Sequence, residues 1–141
     1  MTVLNPFQNK TILLGVTGSI AAYKAADLAS RLTQAGAIVE VILTQAALQF
    51  ITPLTFQSVT GRKAYTDADL WGGEGHVTHI GLGMAGDLYI LAPISANTMA
   101  KLAHGIADNL VTVAALAARC PILLAPAMDA GMFTNPVTQA N

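Results

Sequence analysis

The sequence predicts an α/β fold with a doubly wound parallel sheet, Rossmann-like or flavodoxin-like, and helices on both faces. The main observation is a set of four short apolar runs, at residues 11–16, 38–43, 87–92 and 121–125. Each run is almost continuously apolar, which is typical of strands that are covered on both sides. Segments with helical periodicity lie between the runs. Strands that alternate with helices favour a parallel sheet joined by right-handed crossovers.

The helical segments can be placed from periodicity and from capping residues. Residues 20–35 have one apolar face, and Gly36 provides the end of that helix. Asn135-Pro136 has the pattern of an N-cap followed by a first-turn proline, so a further helix is predicted there. Residues 61–77 show no periodicity, and we expect a surface loop that is a candidate lid or oligomer contact. Other helices are predicted at residues 45–50, 53–59, 97–104 and 109–118.

Composition restricts the class of protein. The 141 residues suffice for one domain with a real core, which we expect to span residues 1–141. The net charge of -1 gives no reason to expect nucleic acid or a membrane surface as a partner. Hydrophobic residues make up 53% and charged residues 11%, so we expect a homo-oligomer that hides apolar surface. The single cysteine, Cys120, is interpreted as an inert thiol in a reducing cytoplasm, and no signal peptide or membrane span is recognisable.

Three predicted strand-to-helix junctions bring small polar residues to one edge of the sheet. Residues 15–20 read Gly-Val-Thr-Gly-Ser-Ile, and the backbone N–H groups of such a turn can bind an anion. Thr44 is a predicted helix N-cap at the second junction, and Ser95, Asn97 and Thr98 occupy the third. Ligands in these folds bind outside the carboxyl ends of the strands. The glycine spacing is not the dinucleotide fingerprint, so the pattern favours a mononucleotide such as FMN, with plain turns and helix caps as the alternative.

Two further features are candidates for chemistry. His79 is a candidate general base because imidazole titrates near neutral pH, although an isolated histidine can also be structural. A metal site formed with His76 lacks a third ligand and zinc-like cysteines, so no metal is expected. Asp129 lies between Met128 and Met132 directly after the last apolar run, a pattern that core packing does not explain.

Residues 126–133, Pro-Ala-Met-Asp-Ala-Gly-Met-Phe, resemble the PxMNxxMW substrate-recognition motif of the flavin-dependent cysteine decarboxylases. Asp129 and Phe133 stand where that family usually has Asn and Trp. Further similar pieces follow one another in the family's order. Two stretches within them, Ala-Ala-Tyr-Lys at 21–24 and Ile-Thr-Pro-Leu at 51–54, favour the phosphopantothenoylcysteine decarboxylases over the lantibiotic-cysteine decarboxylases and flavin prenyltransferases. These pieces are residues 15–24, 50–54, 79–80, 92–98 and 105–110.

The resemblance implies FMN-dependent decarboxylation of 4′-phosphopantothenoylcysteine to 4′-phosphopantetheine in coenzyme A biosynthesis. In such enzymes the flavin oxidises the thiol, carbon dioxide leaves, and the flavin reduces the product again. His79 matches the catalytic histidine of the family. Asp129 matches the Asn that holds the substrate carboxylate, and Met132 lies in the same substrate-binding motif. The implied FMN contacts are Gly18, Ser19, Ile20, Thr44, Ser95, Asn97, Thr98, Ala127 and Met128.

The resemblance also implies partners and further segments. Family members are commonly homo-trimers or larger assemblies with FMN at the subunit interfaces, and their substrate is a small thiol-carboxylate. They continue with a last strand and a cysteine-bearing flap, and many bacterial members add a synthetase domain, so we interpret residues 1–141 as a truncated domain. Two alternatives remain open, namely an FMN-binding regulatory or scaffold module without turnover and a flavin prenyltransferase relative.

Overall fold

The computed structural model describes residues 2–71 and 81–141. In this part of the chain five parallel strands form one sheet in the order β3-β2-β1-β4-β5. This is the order of the first five strands of the Rossmann fold, and the order reverses between β1 and β4. The predicted fold class is confirmed. The strands are β1 (Thr11–Val16), β2 (Ile38–Leu43), β3 (Ala64–Tyr65), β4 (Leu88–Ile94) and β5 (Ile122–Pro126).

Except at residues 45–50, the helices connect the strands as the sequence predicts, with small differences at their ends. Residues 81–85 are also helical. None of the described helices is long and apolar enough to cross a membrane. The α-helices are α1 (Ala22–Gln34), α2 (Pro53–Thr60), α3 (Ala96–His104), α4 (Leu110–Ala117), α5 (Ala130–Thr134) and α6 (Pro136–Ala140).

The core has two layers, one on each face of the sheet. Leu13 and Leu14 of β1 are both fully buried and point to opposite faces, because successive side chains of a strand alternate. Leu14 belongs to the cluster that β1 and β2 form with α1 and α2. Leu13 belongs to the cluster on the other face, which includes Tyr89 and the buried side of α4. Residues at the carboxyl ends of the strands are therefore held from both sides.

Three predictions need correction. The described part of residues 61–77 contains β3 and a 3-10 turn at Asp67–Asp69, which are too short to produce a periodic pattern. The helix predicted at 45–50 is only a 3-10 turn, Ala47–Gln49. All five residues of β5 are exposed rather than buried, and β5 is an edge strand with β4 as its one partner among the described strands.

Candidate functional site

Two adjoining cavities open at the carboxyl ends of β1, β2, β4 and β5. The first, of about 400 Å³, is called here the polar cavity, and its lining residues include Gly18, Thr44, Ser95, Asn97 and Thr98. The second, of about 570 Å³, is called the methionine cavity. Gly18 and Ser95 line both. The methionine cavity is otherwise lined by Ser19, Ile20, Ala21, Ala96, Ala127, Met128, Asp129 and Met132.

The first junction depends on Gly18. A Cβ atom at this position would lie 2.6 Å from the Cβ of Ala46, which follows β2. Contacts this short do not occur, so a side chain at residue 18 would push the β1–α1 loop away from the β2 junction. The two loops approach closely enough to line one cavity because residue 18 is glycine.

The second junction is Thr44, whose side chain is buried. Its hydroxyl accepts a hydrogen bond from the Ala47 N–H at 3.2 Å. The N-cap of the 3-10 turn that follows is Ala46, so Thr44 holds this turn from outside it and is not the helix N-cap that the sequence predicts. Its backbone N–H donates to the Val16 carbonyl at 3.0 Å and thereby joins the ends of β2 and β1. Among the described residues the Thr44 hydroxyl donates to no group, so its proton is available to a ligand oxygen.

The third junction is the start of α3. Ser95 is the N-cap, and its hydroxyl accepts a hydrogen bond from the Thr98 N–H at 3.2 Å. It also lies 3.2 Å from the Thr98 hydroxyl, which is buried. The first N–H groups of a helix and its dipole favour an anion at this end. Asn97, in the first turn of α3, is exposed and lines the same cavity.

The charged residues of the polar cavity are already engaged with one another or with backbone. Lys101 Nζ lies 2.9 and 3.0 Å from the two carboxylate oxygens of Asp108. Asp67 accepts a hydrogen bond from the Leu110 N–H at 2.9 Å and so fixes the start of α4. Because Lys101 and Asp67 already have partners, an anion in the polar cavity would meet available donors on the side formed by Thr44, Ser95 and Thr98.

Sequence reasoning missed these charged residues for two reasons. The ion pair of Lys101 has no sequence signal, because Asp108 comes against Lys101 only after the chain turns back at Gly105. Asp67 gave no signal because its partner, Leu110, lies 43 residues away in sequence. Only the folded chain brings such pairs together.

The methionine cavity takes its character from the segment after β5. Ala127, Met128 and Met132 give it an apolar lining, opposite Ile20 of the β1–α1 loop. Asp129 is exposed, and one of its oxygens accepts a hydrogen bond from the Gly131 N–H at 2.9 Å. The described residues that line this cavity include no lysine, arginine or histidine.

The remaining sequence predictions concern two histidines and the cysteine. His76 and His79 fall outside the described residues, so the catalytic and metal interpretations stay predictions. In the described part of the chain no three His, Cys, Asp or Glu side chains cluster as a metal site would require. Cys120 is half-buried, and burial raises the pKa of its thiol, which makes it a poor nucleophile.

The predicted site residues other than His79 thus line one of two cavities that meet at Gly18 and Ser95. Hydroxyl groups and a helix N-terminus mark one cavity. Thioethers and a single carboxylate mark the other. Such a pair suits a ligand with an anionic group at one end and a flat apolar part at the other.

Comparisons with known proteins agree with this geometry. A family model described as Flavoprotein matches residues 2–141. A probable phosphopantothenoylcysteine decarboxylase of Streptococcus mutans serotype c is 51% identical over 134 residues, which cover 94% of this chain and 75% of that protein. The coenzyme A biosynthesis bifunctional protein CoaBC of Bacillus subtilis is 44% identical over 133 residues. That match covers 94% of this chain and 33% of the relative, so the chain spans about a third of the bifunctional protein.

A solved structure extends the comparison to three dimensions. The FMN-dependent cysteine decarboxylase TvaF from thioviridamide biosynthesis superposes with a TM-score of 0.88 at 32% sequence identity. The match covers 93% of this chain and 81% of that chain. The sheet and the junctions that line both cavities therefore belong to a fold found in a flavin-dependent decarboxylase.

Proposed function

The chain belongs to the flavoprotein family, and we propose that it is an FMN-dependent decarboxylase of 4′-phosphopantothenoylcysteine that forms 4′-phosphopantetheine in coenzyme A biosynthesis. The observation that supports this most is the meeting of the polar and methionine cavities at Gly18 and Ser95. A mononucleotide would occupy both cavities at once, with its phosphate in the polar cavity and its flavin ring in the methionine cavity. The proposed location is the cytoplasm.

The donor set of the polar cavity fits the phosphate of FMN. Thr44, Ser95 and Thr98 supply hydroxyls, and α3 supplies the positive end of a helix dipole. We assign the flavin ring to the methionine cavity, where Ile20 and Met128 offer apolar and polarisable contacts. The remaining proposed FMN contacts are Gly18, Ser19, Asn97 and Ala127.

The protein's own part in the reaction is positioning and proton handling. FMN, when bound, would supply the oxidation of the cysteinyl thiol and the later reduction that accompany loss of the neighbouring carboxylate as carbon dioxide. Asp129 and Met132 are proposed to contact the thiol-carboxylate end of the substrate in the methionine cavity. His79 is proposed to take or return a proton there.

We also propose that the working form is a homo-trimer or a larger assembly. Support comes from the exposed apolar side chains along β5, where Ile122, Leu123 and Leu124 are 41%, 54% and 38% exposed. Ile122 and Leu124 lie on one face of the sheet and Leu123 on the other, and apolar side chains exposed in this way favour an interface along this edge. The name of the bifunctional Bacillus subtilis relative supports the expectation that a synthetase acts beside this domain.

The test of the proposal is decarboxylation by the purified chain loaded with FMN. We expect carbon dioxide and 4′-phosphopantetheine from 4′-phosphopantothenoylcysteine, and none from an FMN-free sample. His79→Asn should abolish turnover while flavin stays bound. Full activity of that variant would contradict the assignment of His79.

One observation favours a second function, an FMN-binding regulatory or scaffold module. The family resemblance places Asn at the position of Asp129, and a carboxylate there opposes a substrate carboxylate. If the chain binds FMN, releases no carbon dioxide and gains no activity in Asp129→Asn, the module is the better description.

A further inference from the structure

Thr17 joins two of the three junctions through hydrogen bonds. Its side chain is 1% exposed, and its hydroxyl donates to the Pro93 carbonyl at 2.8 Å. The same hydroxyl accepts a hydrogen bond from the Ser95 N–H at 2.9 Å. Its backbone N–H also donates to the Pro93 carbonyl, at 3.2 Å. The buried hydroxyl therefore acts as both a donor and an acceptor, and it joins the loop after β1 to the end of β4, which lies far away in sequence.

The hydrogen bonds of Thr17 link the two residues that the polar and methionine cavities share. Thr17 immediately precedes Gly18, and it bonds directly to the backbone of Ser95. Gly18 and Ser95 are the two residues that line both cavities, whereas Thr17 itself lines neither. The Ser95 hydroxyl in turn caps α3 through the Thr98 N–H. The Thr17 hydroxyl thus sets where the start of α3 lies relative to the glycine turn.

We propose that Thr17 is a positioning residue for the anionic end of the ligand, acting through Ser95 and the N-terminus of α3. This inference rests on the proposed FMN site. Without the hydroxyl, the Ser95 N–H loses its partner in a partly buried setting. Of the three hydrogen bonds between Thr17 and this loop, only the one from the Thr17 backbone N–H to the Pro93 carbonyl then remains, so the loop is free to shift. The ligand's phosphate would then meet a helix start that is displaced from Gly18.

Two variants separate the hydroxyl from the shape of the side chain. Thr17→Val keeps the branched shape and removes the hydroxyl, and we expect a Kd for FMN about tenfold weaker. Thr17→Ser keeps the hydroxyl, and we expect a Kd within about twofold of wild type. Flavin fluorescence measures the Kd. The visible circular dichroism of bound FMN should change in Thr17→Val and return in Thr17→Ser.

A control separates positioning from stability. Val41→Ala truncates a buried side chain of β2 in the layer under α1 and α2, away from both cavities. It should lower the melting temperature and leave the FMN Kd and the dichroism unchanged. If Thr17→Val does not fold, hydrogen exchange of the backbone amides in wild type without FMN tests the proposal instead. The hydrogen bond to the Thr17 hydroxyl should then protect the Ser95 N–H from exchange as strongly as the amides of β4 are protected. Fast exchange of that amide overturns the proposal.

The outcomes distinguish this inference from the function on which it rests. Wild-type Kd and dichroism in Thr17→Val overturn the role of Thr17 and leave the FMN site intact. Failure of wild type itself to bind FMN overturns both. The positioning role is supported if Thr17→Val weakens FMN binding while Thr17→Ser and Val41→Ala both bind FMN as wild type does.

Discussion

Asp129 is the residue at which this chain departs from its family's pattern in a way that affects chemistry. Its carboxylate is exposed in the methionine cavity and caps α5 through the Gly131 N–H. Asn caps a helix equally well, so the local structure does not require the negative charge. The charge instead affects the proposed substrate, because the Asp129 carboxylate would repel the substrate carboxylate at close range and weaken its binding.

Asp129→Asn should therefore favour the proposed carboxylate substrate. We expect kcat/KM for 4′-phosphopantothenoylcysteine to rise about tenfold, the effect of removing roughly 1.4 kcal/mol of repulsion. Steady-state release of carbon dioxide measures it. Asp27→Asn, at an exposed aspartate of α1, is the control and should change nothing. A fall in kcat/KM for Asp129→Asn would show that the carboxylate helps the substrate bind or react.

At the scale of elements, the sequence predicts those strands and helix ends that depend on residues close together in the chain. Apolar runs identify β1, β2 and β4 because both of their faces are buried, and Gly36 ends α1 with a positive φ of 93°. β3 is missed because two residues have no periodicity. The exposure of β5 is missed because an apolar run does not reveal whether anything covers it.

The same distinction applies to the candidate site. Ser95 is predictable because capping acts within one turn of a helix, and the bond of Thr44 to the Ala47 N–H is equally local. The contacts of Thr17 with residues after β4, and of Asp67 with α4, cross the fold and have no local signature. Sequence therefore locates the ligand-facing residues better than the residues that hold them in place.

Gly18→Ala tests the close approach of the β1–α1 loop and the β2 junction. The added methyl group meets the Cβ of Ala46, and we expect the free energy of unfolding to fall by about 1–3 kcal/mol and FMN binding to weaken. Urea unfolding and flavin fluorescence measure the two effects.

The double variant Gly18→Ala with Ala46→Gly removes the opposing methyl group, so most of the lost stability and affinity should return. Residues in direct contact show such coupling. Strictly additive losses would contradict the steric account of this junction.

Tyr89 connects β4 to α4 and makes the stability of the fold pH-dependent. Its hydroxyl is buried and donates to the Val111 carbonyl at 2.8 Å. Burial, with a smaller contribution from Cys120, raises the Tyr89 pKa far above its ordinary value. In the unfolded chain a tyrosine ionises near pH 10. The stabilisation is therefore complete below that pH and is lost above it, where only the unfolded state releases the proton.

Tyr89→Phe should show this in alkaline solution. Wild type should lose about 1.4 kcal/mol of unfolding free energy per pH unit above pH 10 through this group, and the variant should lack that component. At neutral pH the variant should be less stable by about 1–3 kcal/mol, because the buried hydrogen bond from the Tyr89 hydroxyl to the Val111 carbonyl is lost. Urea unfolding at several pH values measures both, with Tyr23→Phe, at an exposed tyrosine, as control. Equal slopes in wild type and Tyr89→Phe would exclude Tyr89 as the cause.

At the scale of the whole molecule, apolar surface and the cavities lie close together. β5 leads directly into the segment that lines the methionine cavity, and its side chains are exposed. Covering that surface would also bring a neighbouring chain near the proposed substrate. The apolar composition of the sequence predicts the same need for assembly.

Light scattering during size-exclusion chromatography tests the assembly. We expect a mass three times that of one chain or a larger multiple, and Leu123→Lys should shift it toward that of a single chain. Leu54→Lys is the matched control, because this exposed leucine lies on α2, which packs beside β3 at the opposite edge of the sheet. A monomeric wild type at all concentrations, with FMN bound, would contradict the proposed oligomer.

The central claim is that the polar and methionine cavities together form one FMN site, and the absorbance spectrum of the purified chain tests it most directly. We expect a flavin spectrum, FMN in the ligand that heat releases, and binding of added riboflavin at least about tenfold weaker, because riboflavin lacks the phosphate. A folded, colourless chain that takes up no added FMN, or one that binds riboflavin as tightly as FMN, would contradict the account.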